Sequence, residues 1–326
     1  MPGARVVSIG HGACVPPRRL SSHAPADRHG IVTHADALRD GVDPDVLYRD
    51  LRSGRLERAH RGVYRLPDAE DPHAAARAAV RHLGASAVVV IDSAAGLHQL
   101  EGARNRPTVA AAVPRGSERR QRAGIALHFW DMPASDVVEV DGIAVTSVVR
   151  TLADCARLLP RFEAVPLVDS ALHRGLVVPE QFDQIGAIMG RRPGCPAGRQ
   201  VLRDARVGAQ SPLETRVRLR ASDGGFPPDR LQVPVHDAQG RLVGIVDLGY
   251  RLPNGGWLYV EADGRSVHEL PDAVLHDRHR QNAIVNQSGS HLLRVTWDDT
   301  MDARTIPDLL RPILRRHGWR PASRGC

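Results

Sequence analysis

Two apolar runs near the C-terminus, residues 242–248 and 258–261, each place a carboxylate where a strand core would hold an aliphatic side chain: Asp247 in the first, Glu261 in the second. Burying an ionised carboxylate without a partner costs roughly several kcal/mol, so a fold keeps one in a strand only where a cation or a proton transfer uses it. Pro253-Asn254-Gly255-Gly256 separates the runs and predicts a β-hairpin. Glu261 and Asp263 lie two apart, so their side chains leave the same face of the second strand. A hairpin register that sets Asp247 beside Glu261 makes three carboxylates converge, an oxygen-rich set that suits Mg²⁺ or Mn²⁺ rather than zinc. Taken singly, Asp247 also reads as a solvated strand end and Asp263-Gly264 as an ordinary turn.

Further residues extend the pattern. Ser211-Pro212-Leu213-Glu214 opens a helix, His268 follows the second carboxylate run, Asp277-Arg278-His279-Arg280-Gln281-Asn282 reads as a helix, and Leu293-Arg294-Val295-Thr296-Trp297 reads as a closing strand. In order and spacing these elements resemble the PD-(D/E)XK nuclease superfamily, and within it the very-short-patch-repair-like endonuclease domains. The resemblance implies a restriction-endonuclease-like α/β domain acting on DNA, with Asp247 and Glu261 holding the metal and Glu214 nearby. One departure is chemical: where the superfamily carries a lysine two residues after the glutamate, this chain has Asp263, and none of its 44 basic residues is a lysine. Arginine stays protonated in proteins and cannot deprotonate water. His268 is therefore the candidate proton carrier, and Arg280 is favoured over Arg278 to meet a phosphate. The candidate catalytic set is Glu214, Asp247, Glu261, Asp263, His268 and Arg280, in either an active nuclease or an inert nuclease-like clamp. His276 and His279 lack the further ligands a zinc set needs and read as surface residues.

The N-terminal third points to nucleic acid independently. Gly30-Ile31-Val32-Thr33 leads into a short helical run, and Gly41-Val42-Asp43-Pro44 supplies a turn, an N-cap and a proline at the first helical position. The second helix carries Val46, Leu47 and Leu51 on one face, with Arg49 and Arg52 elsewhere, and two short strands bent at Arg61-Gly62 follow it. Helix, turn, helix and wing is the winged-helix order. Six arginines between Arg49 and Arg65 face only Asp50 and Glu57, and Arg49, Arg52, Arg55, Arg58 and Arg61 are the candidate DNA contacts. Ser53-Gly54-Arg55-Leu56 and Arg61-Gly62-Val63-Tyr64 resemble the N-terminal domain of the AbiEi-like type IV antitoxins, and the resemblance continues to about Met189. It implies a phage-defence or toxin–antitoxin role, a cognate toxin protein as partner, and autoregulation of transcription; the nuclease-like end adds DNA repair to the candidate settings.

The middle segment predicts helices over 74–83, 94–100, 162–173 and 180–189, a further helix starting near Thr146, and strands over 108–113 and 125–129. Asp92, Ser93 and His98 lie too close together for a catalytic triad and read as cap and surface residues. Arg191-Arg192-Pro193-Gly194-Cys195-Pro196 reads as a linker, with a helix over 197–206 joining the last domain. The expected fold class is thus α/β in a multidomain α+β arrangement: a tail over 1–29, a winged helix over 30–68, an α/β middle over 69–190 and an endonuclease-like domain over 197–320.

Composition limits the alternatives. A hydrophobic share of 42% with 25% charged residues is that of a globular protein, and no apolar run reaches the length of a membrane span. The first thirty residues hold Pro16-Pro17-Arg18-Arg19 and no apolar core of a secretory signal. Cys14, Cys155, Cys195 and Cys326 show no motif spacing, which predicts a reducing, cytoplasmic setting. The formal charge of +7 agrees with a polyanionic partner.

Overall fold

The computed structural model describes residues 26–236, 239–264 and 289–321, and the chain divides into two compact units, 1–84 and 85–326. The first is built from β1 (Ile31–Thr33), α1 (His34–Arg39), α2 (Pro44–Arg52), β2 (Glu57–His60), β3 (Val63–Arg65) and α3 (Ala74–Leu83). Its three strands are ordered β1-β3-β2, all antiparallel, so a helix–turn–helix is followed by a two-stranded wing. Both helix starts are capped by a side chain, the second by the N-cap read from the sequence. Thr33 Oγ1 accepts from the Asp36 N–H at 3.0 Å, and Asp43 Oδ1 accepts from the Asp45 N–H at 2.9 Å ahead of Pro44. Val46 and Leu47 of α2 join Val32, Ala37, Leu56 and Tyr64 in a small core, with Leu51 packed at its edge. The unit runs on past residue 68 to Gly84, because Ala78 of α3 packs with Ile31 and Val63.

The second unit opens with β4 (Val88–Val89), α4 (Ile91–Leu97), β5 (Val109–Val113), β6 (Ile125–Phe129), β7 (Val137–Val140), β8 (Ile143–Thr146), α5 (Val148–Leu158), α6 (Arg161–His173), α7 (Phe182–Met189) and α8 (Cys195–Asp204). The strands form a mixed sheet, β6-β5-β4-β8-β7. Alanine at 110, 111 and 112 lets helices approach it closely; α4 to α8 bury one core with Leu152, Leu167, Val168 and Ile185 at its centre. The helix that the sequence assigns to the last domain is α8, and it packs in this core through Cys195, Val201 and Leu202. Cys155 and Cys195 are buried free thiols, and the burial of Cys155 pushes its pKa well up.

Asp92, expected at the surface, is buried and pairs with Arg106 at 2.5 Å. Burying the carboxylate is affordable here because a guanidinium compensates it. Ser93 Oγ accepts from the Ala110 N–H at 2.9 Å, and the His98 ring lies 2.7 Å from the Thr146 carbonyl, so both serve the sheet.

The unit continues into α9 (Pro212–Asp223), β9 (Arg230–His236), β10 (Leu242–Arg251), β11 (Trp257–Ala262), β12 (His291–Val295) and α10 (Thr305–Arg316). The sheet order is β12-β11-β10-β9, with β11 and β12 parallel and the other pairs antiparallel. Leu213 and Val217 of α9 and Ile306, Leu310 and Leu314 of α10 cover it over Leu248, Tyr250, Leu258 and Val260. Helix α9 faces both cores, since Leu219 belongs to the middle one. Among the described residues no helix is long and apolar enough to cross a membrane.

Candidate functional site

The start of α9 sets the first carboxylate. Ser211 caps the helix, Pro212 pre-sets its first turn, and the Glu214 N–H donates to Ser211 Oγ at 3.2 Å. The Glu214 side chain then turns back and accepts from the Gln210 N–H at 2.9 Å and from Gln232 Nε2 at 2.8 Å. Burial pushes the Glu214 carboxyl above its ordinary value; the Asp247 carboxylate adds to that, and the Gln210 N–H opposes it.

The hairpin supplies the next two. Leu248 pairs with Val260, which sets Asp247 across from Glu261, the register the sequence required for convergence. Asp247 Oδ2 accepts from the Ala262 N–H at 2.8 Å, and Gln232 Nε2 reaches Asp247 Oδ1 at 3.4 Å. Gln232 thus stands between Glu214 and Asp247, one amide hydrogen for each. Its backbone has φ +51° inside a strand, a left-handed conformation that a non-glycine residue adopts at a cost.

Glu261 is buried, and β12 brings Arg294 beside it: the guanidinium Nε donates to Glu261 Oε2 at 3.2 Å, with Nη1 3.8 Å from Asp263 Oδ2. Glu214, Asp247, Glu261, Asp263 and Arg294 line one cleft of about 440 Å³, rimmed by Gly264 and by the exposed Trp297. Among the described residues the donor set is oxygen throughout. Among the described residues Arg294 is the one cationic side chain lining that cleft against four carboxylates, a balance that fits a hard divalent cation better than a soft one. His268 and Arg280 lie outside the described residues, as does the helix expected around Asp277.

Neither Gln232 nor a role for Arg294 is expected from the sequence. A polar residue next to Leu231 and Val233 was the available signal for the first; the second depends on β12 pairing with β11.

In the N-terminal unit, α2 presents Tyr48, 62% exposed, with the Arg52 guanidinium 5.7 Å from its ring centre. Arg49, Arg58 and Arg61 are exposed as well. Arg55 lies 3.9 Å from the buried Asp50, and Arg65 pairs with Glu57 at 2.5 Å, so both acids of the segment have basic partners.

Residues 26–67 match the family model described as "Transcriptional regulator, AbiEi antitoxin", and residues 79–200 match "AbiEi antitoxin C-terminal domain". The chain is similar to the AbiEi antitoxins. The AbiEi-like part thus includes both the winged helix and the middle sheet, and it ends within α8. Two relatives are the uncharacterized proteins MT2308 and Rv2248 of Mycobacterium tuberculosis, strains CDC 1551 and H37Rv, each 28% identical over 82% of this chain and 94% of its own length. The crystal structure of the RV2827C protein from Mycobacterium tuberculosis aligns with 56% of this chain and 78% of its own, at 16% identity and a TM-score of 0.37.

Proposed function

We propose that this AbiEi-like chain is a DNA-binding regulator whose C-terminal segment carries a divalent-cation-dependent phosphodiesterase site, acting in a toxin–antitoxin, phage-defence or DNA-repair setting. The observation that carries the catalytic half is the Asp247–Glu261 register, which gathers acidic side chains in one cleft with Glu214 capping it from α9. Asp247 and Glu261 would hold Mg²⁺ or Mn²⁺, which when bound polarises a phosphate and lowers the pKa of water. Asp247 is oriented by the Ala262 N–H and by Gln232; Glu261 is oriented by Arg294. His268 would move the proton and Arg280 would meet the phosphate. In the winged helix, Arg49, Arg52, Arg55, Arg58 and Arg61 would neutralise DNA phosphates, and the exposed Tyr48 would be open to contact with bases. A cognate toxin protein is the further partner that the AbiEi likeness suggests, and the buried free thiols of Cys155 and Cys195 agree with a cytoplasmic setting.

A second reading has its own observation. Asp263 stands where a lysine would assist the chemistry, and the nearby guanidinium, Arg294, is engaged with Glu261. On that reading the nuclease-like segment is an inert DNA clamp or partner surface of an antitoxin and transcriptional autoregulator. Calorimetric titration of the full chain with Mn²⁺ separates the two: the catalytic reading requires binding that Asp247→Asn weakens, and the clamp reading requires none.

A further inference from the structure

A second, larger groove of about 1240 Å³ lies in the same compact unit, where α8 and α9 meet the turn end of the β10–β11 hairpin. Six arginines and two aspartates line it. Three of the arginines are already committed: Arg218 is buried against Asp169 at 2.7 Å, Arg161 holds Asp204 at 2.6 Å and Asp223 at 2.7 Å, and Arg206 donates to the Arg203 carbonyl at 2.6 Å and the Ala205 carbonyl at 2.7 Å. Both lining aspartates are committed too, Asp204 to Arg161 and Asp229 to the Arg251 N–H at 2.8 Å and the Trp319 indole N–H at 2.9 Å. Arg230, Arg251 and Arg320 remain exposed, with no acidic partner among the described residues. The groove therefore has surplus positive charge that the fold does not use.

Strand register fixes how that charge is laid out. Arg230 of β9 pairs with Gly249 of β10, and Arg251 of β10 pairs with Trp257 of β11. The two guanidinium stems are thus offset by two strand residues, about 7 Å, which suits successive anionic groups of an extended chain better than one small anion. Gly249 keeps the strands tight: a Cβ there would meet Val233 at 2.7 Å and the Trp257 ring at 3.0 Å. Trp257 is half-buried and stacked on Tyr259, with ring centres 6.0 Å apart, so its ring is held in place while part of it stays accessible.

We infer that this groove is a binding site for a single-stranded nucleic acid segment, with Arg230, Arg251 and Arg320 on its phosphates and Trp257 as a stacking platform. Arginine suits phosphate because its planar fork donates two parallel hydrogen bonds, and a fixed aromatic ring accepts any base by its face. An acidic peptide would use the arginines and leave the tryptophan without a role, which is why nucleic acid is the better fit. The site is separate from the winged helix and from the carboxylate cleft, with which it shares no lining residue.

The test uses the full chain and a labelled oligothymidylate of twenty nucleotides, titrated across a salt series. Replacing Arg230, Arg251 and Arg320 together by glutamine is expected to reduce the slope of log affinity against log salt by about 2, since each single-strand phosphate contact contributes about 0.7. Trp257→Ala is expected to remove the fluorescence quenching that oligothymidylate binding causes and to weaken binding by about 5–150-fold. Thermal melts of both variants confirm folding, and duplex binding through the winged helix stays at the wild-type level in each. An unchanged slope with unchanged quenching would overturn the proposal, as would wild-type protein that binds duplex but not oligothymidylate. Arginine-dependent binding of polyglutamate with no oligothymidylate binding would overturn it in favour of an acidic protein partner.

Discussion

Asp169 on α6 accepts a hydrogen bond of 2.7 Å from the guanidinium of Arg218 on α9, and both side chains are buried. The same carboxylate accepts from Thr215 Oγ1 at 2.7 Å and from the Arg206 N–H at 2.8 Å. This links the AbiEi-like middle to the helix that begins with Ser211 and Glu214. The position of the first candidate carboxylate is therefore set by a core that lies earlier in the chain.

Asp169→Ala leaves Arg218 buried without its counter-charge, a change that costs about 3–5 kcal/mol. Urea unfolding of the full chain should show that loss. A fragment starting at Ala197 lacks α6, so it should melt without a cooperative transition, whereas a fragment starting at Ala85 keeps one. Cooperative melting of the shorter piece would contradict this dependence.

Gln232 is the residue that holds Glu214 and Asp247 in place without adding charge. Gln232→Leu should lower Mn²⁺ affinity by about 10–100-fold, the usual effect of losing a residue that orients a metal ligand. Gln232→Gly should lower affinity similarly while leaving thermal stability equal or higher, because glycine adopts φ +51° without strain. Calorimetry and melting curves on the two variants check both halves, and unaltered Mn²⁺ binding would remove Gln232 from the site.

Much of this arrangement is legible in the sequence, and the omissions have physical causes. The β10–β11 hairpin is announced by Pro253-Asn254-Gly255-Gly256, and the register that joins Asp247 to Glu261 follows from it. Strand β9 is hidden by Pro234, which belongs in a sheet only at an edge, and an edge is where β9 lies. The β7–β8 hairpin turns at Asp141-Gly142 with φ of +49° and +72°, a local Asp-Gly signal that lies outside the elements expected from the sequence. Arg294 was not legible at all, since a parallel pairing between β11 and β12 depends on tertiary structure rather than on a turn. The place of α8 was missed because Pro193-Gly194 reads as a linker, although Cys195 and Val201 carry the chain straight back into the middle core.

Glu214 gives a pH signature. Burial first, and the Asp247 carboxylate after it, raise its folded pKa above the ordinary 4.5, with the Gln210 N–H opposing. A raised carboxyl contributes stability that is fully present below the unfolded value and is lost as pH rises through the folded one. Glu214→Gln removes that loss, so in the presence of a chelator the variant should melt above wild type at pH 7 and lose its advantage at pH 4. Identical melting differences at both pH values would show that Glu214 carries no such penalty.

For the winged helix, removing Arg52 and Arg61 should weaken duplex DNA binding and make the salt slope shallower by about 0.9 per lost phosphate contact. Tyr48→Ala should weaken binding with the slope unchanged, because the phenol contributes no charge. A salt series on the three variants distinguishes these effects, and unaltered slopes would take α2 and the wing off the DNA.

Cleavage of DNA by the purified full chain in Mg²⁺ or Mn²⁺, compared with Asp247→Asn, tests the central claim most directly. The substitution keeps size and one acceptor for the Ala262 N–H and removes one charge that would hold the ion, and carboxylates repel phosphate. The account predicts metal-dependent cleavage by wild type, none by Asp247→Asn, and metal-free DNA affinity that is equal or slightly higher in the variant. Wild-type protein that binds DNA but neither cleaves it nor binds Mn²⁺ at millimolar concentration would contradict the account and leave the chain as a DNA-binding regulator with a silent carboxylate cleft.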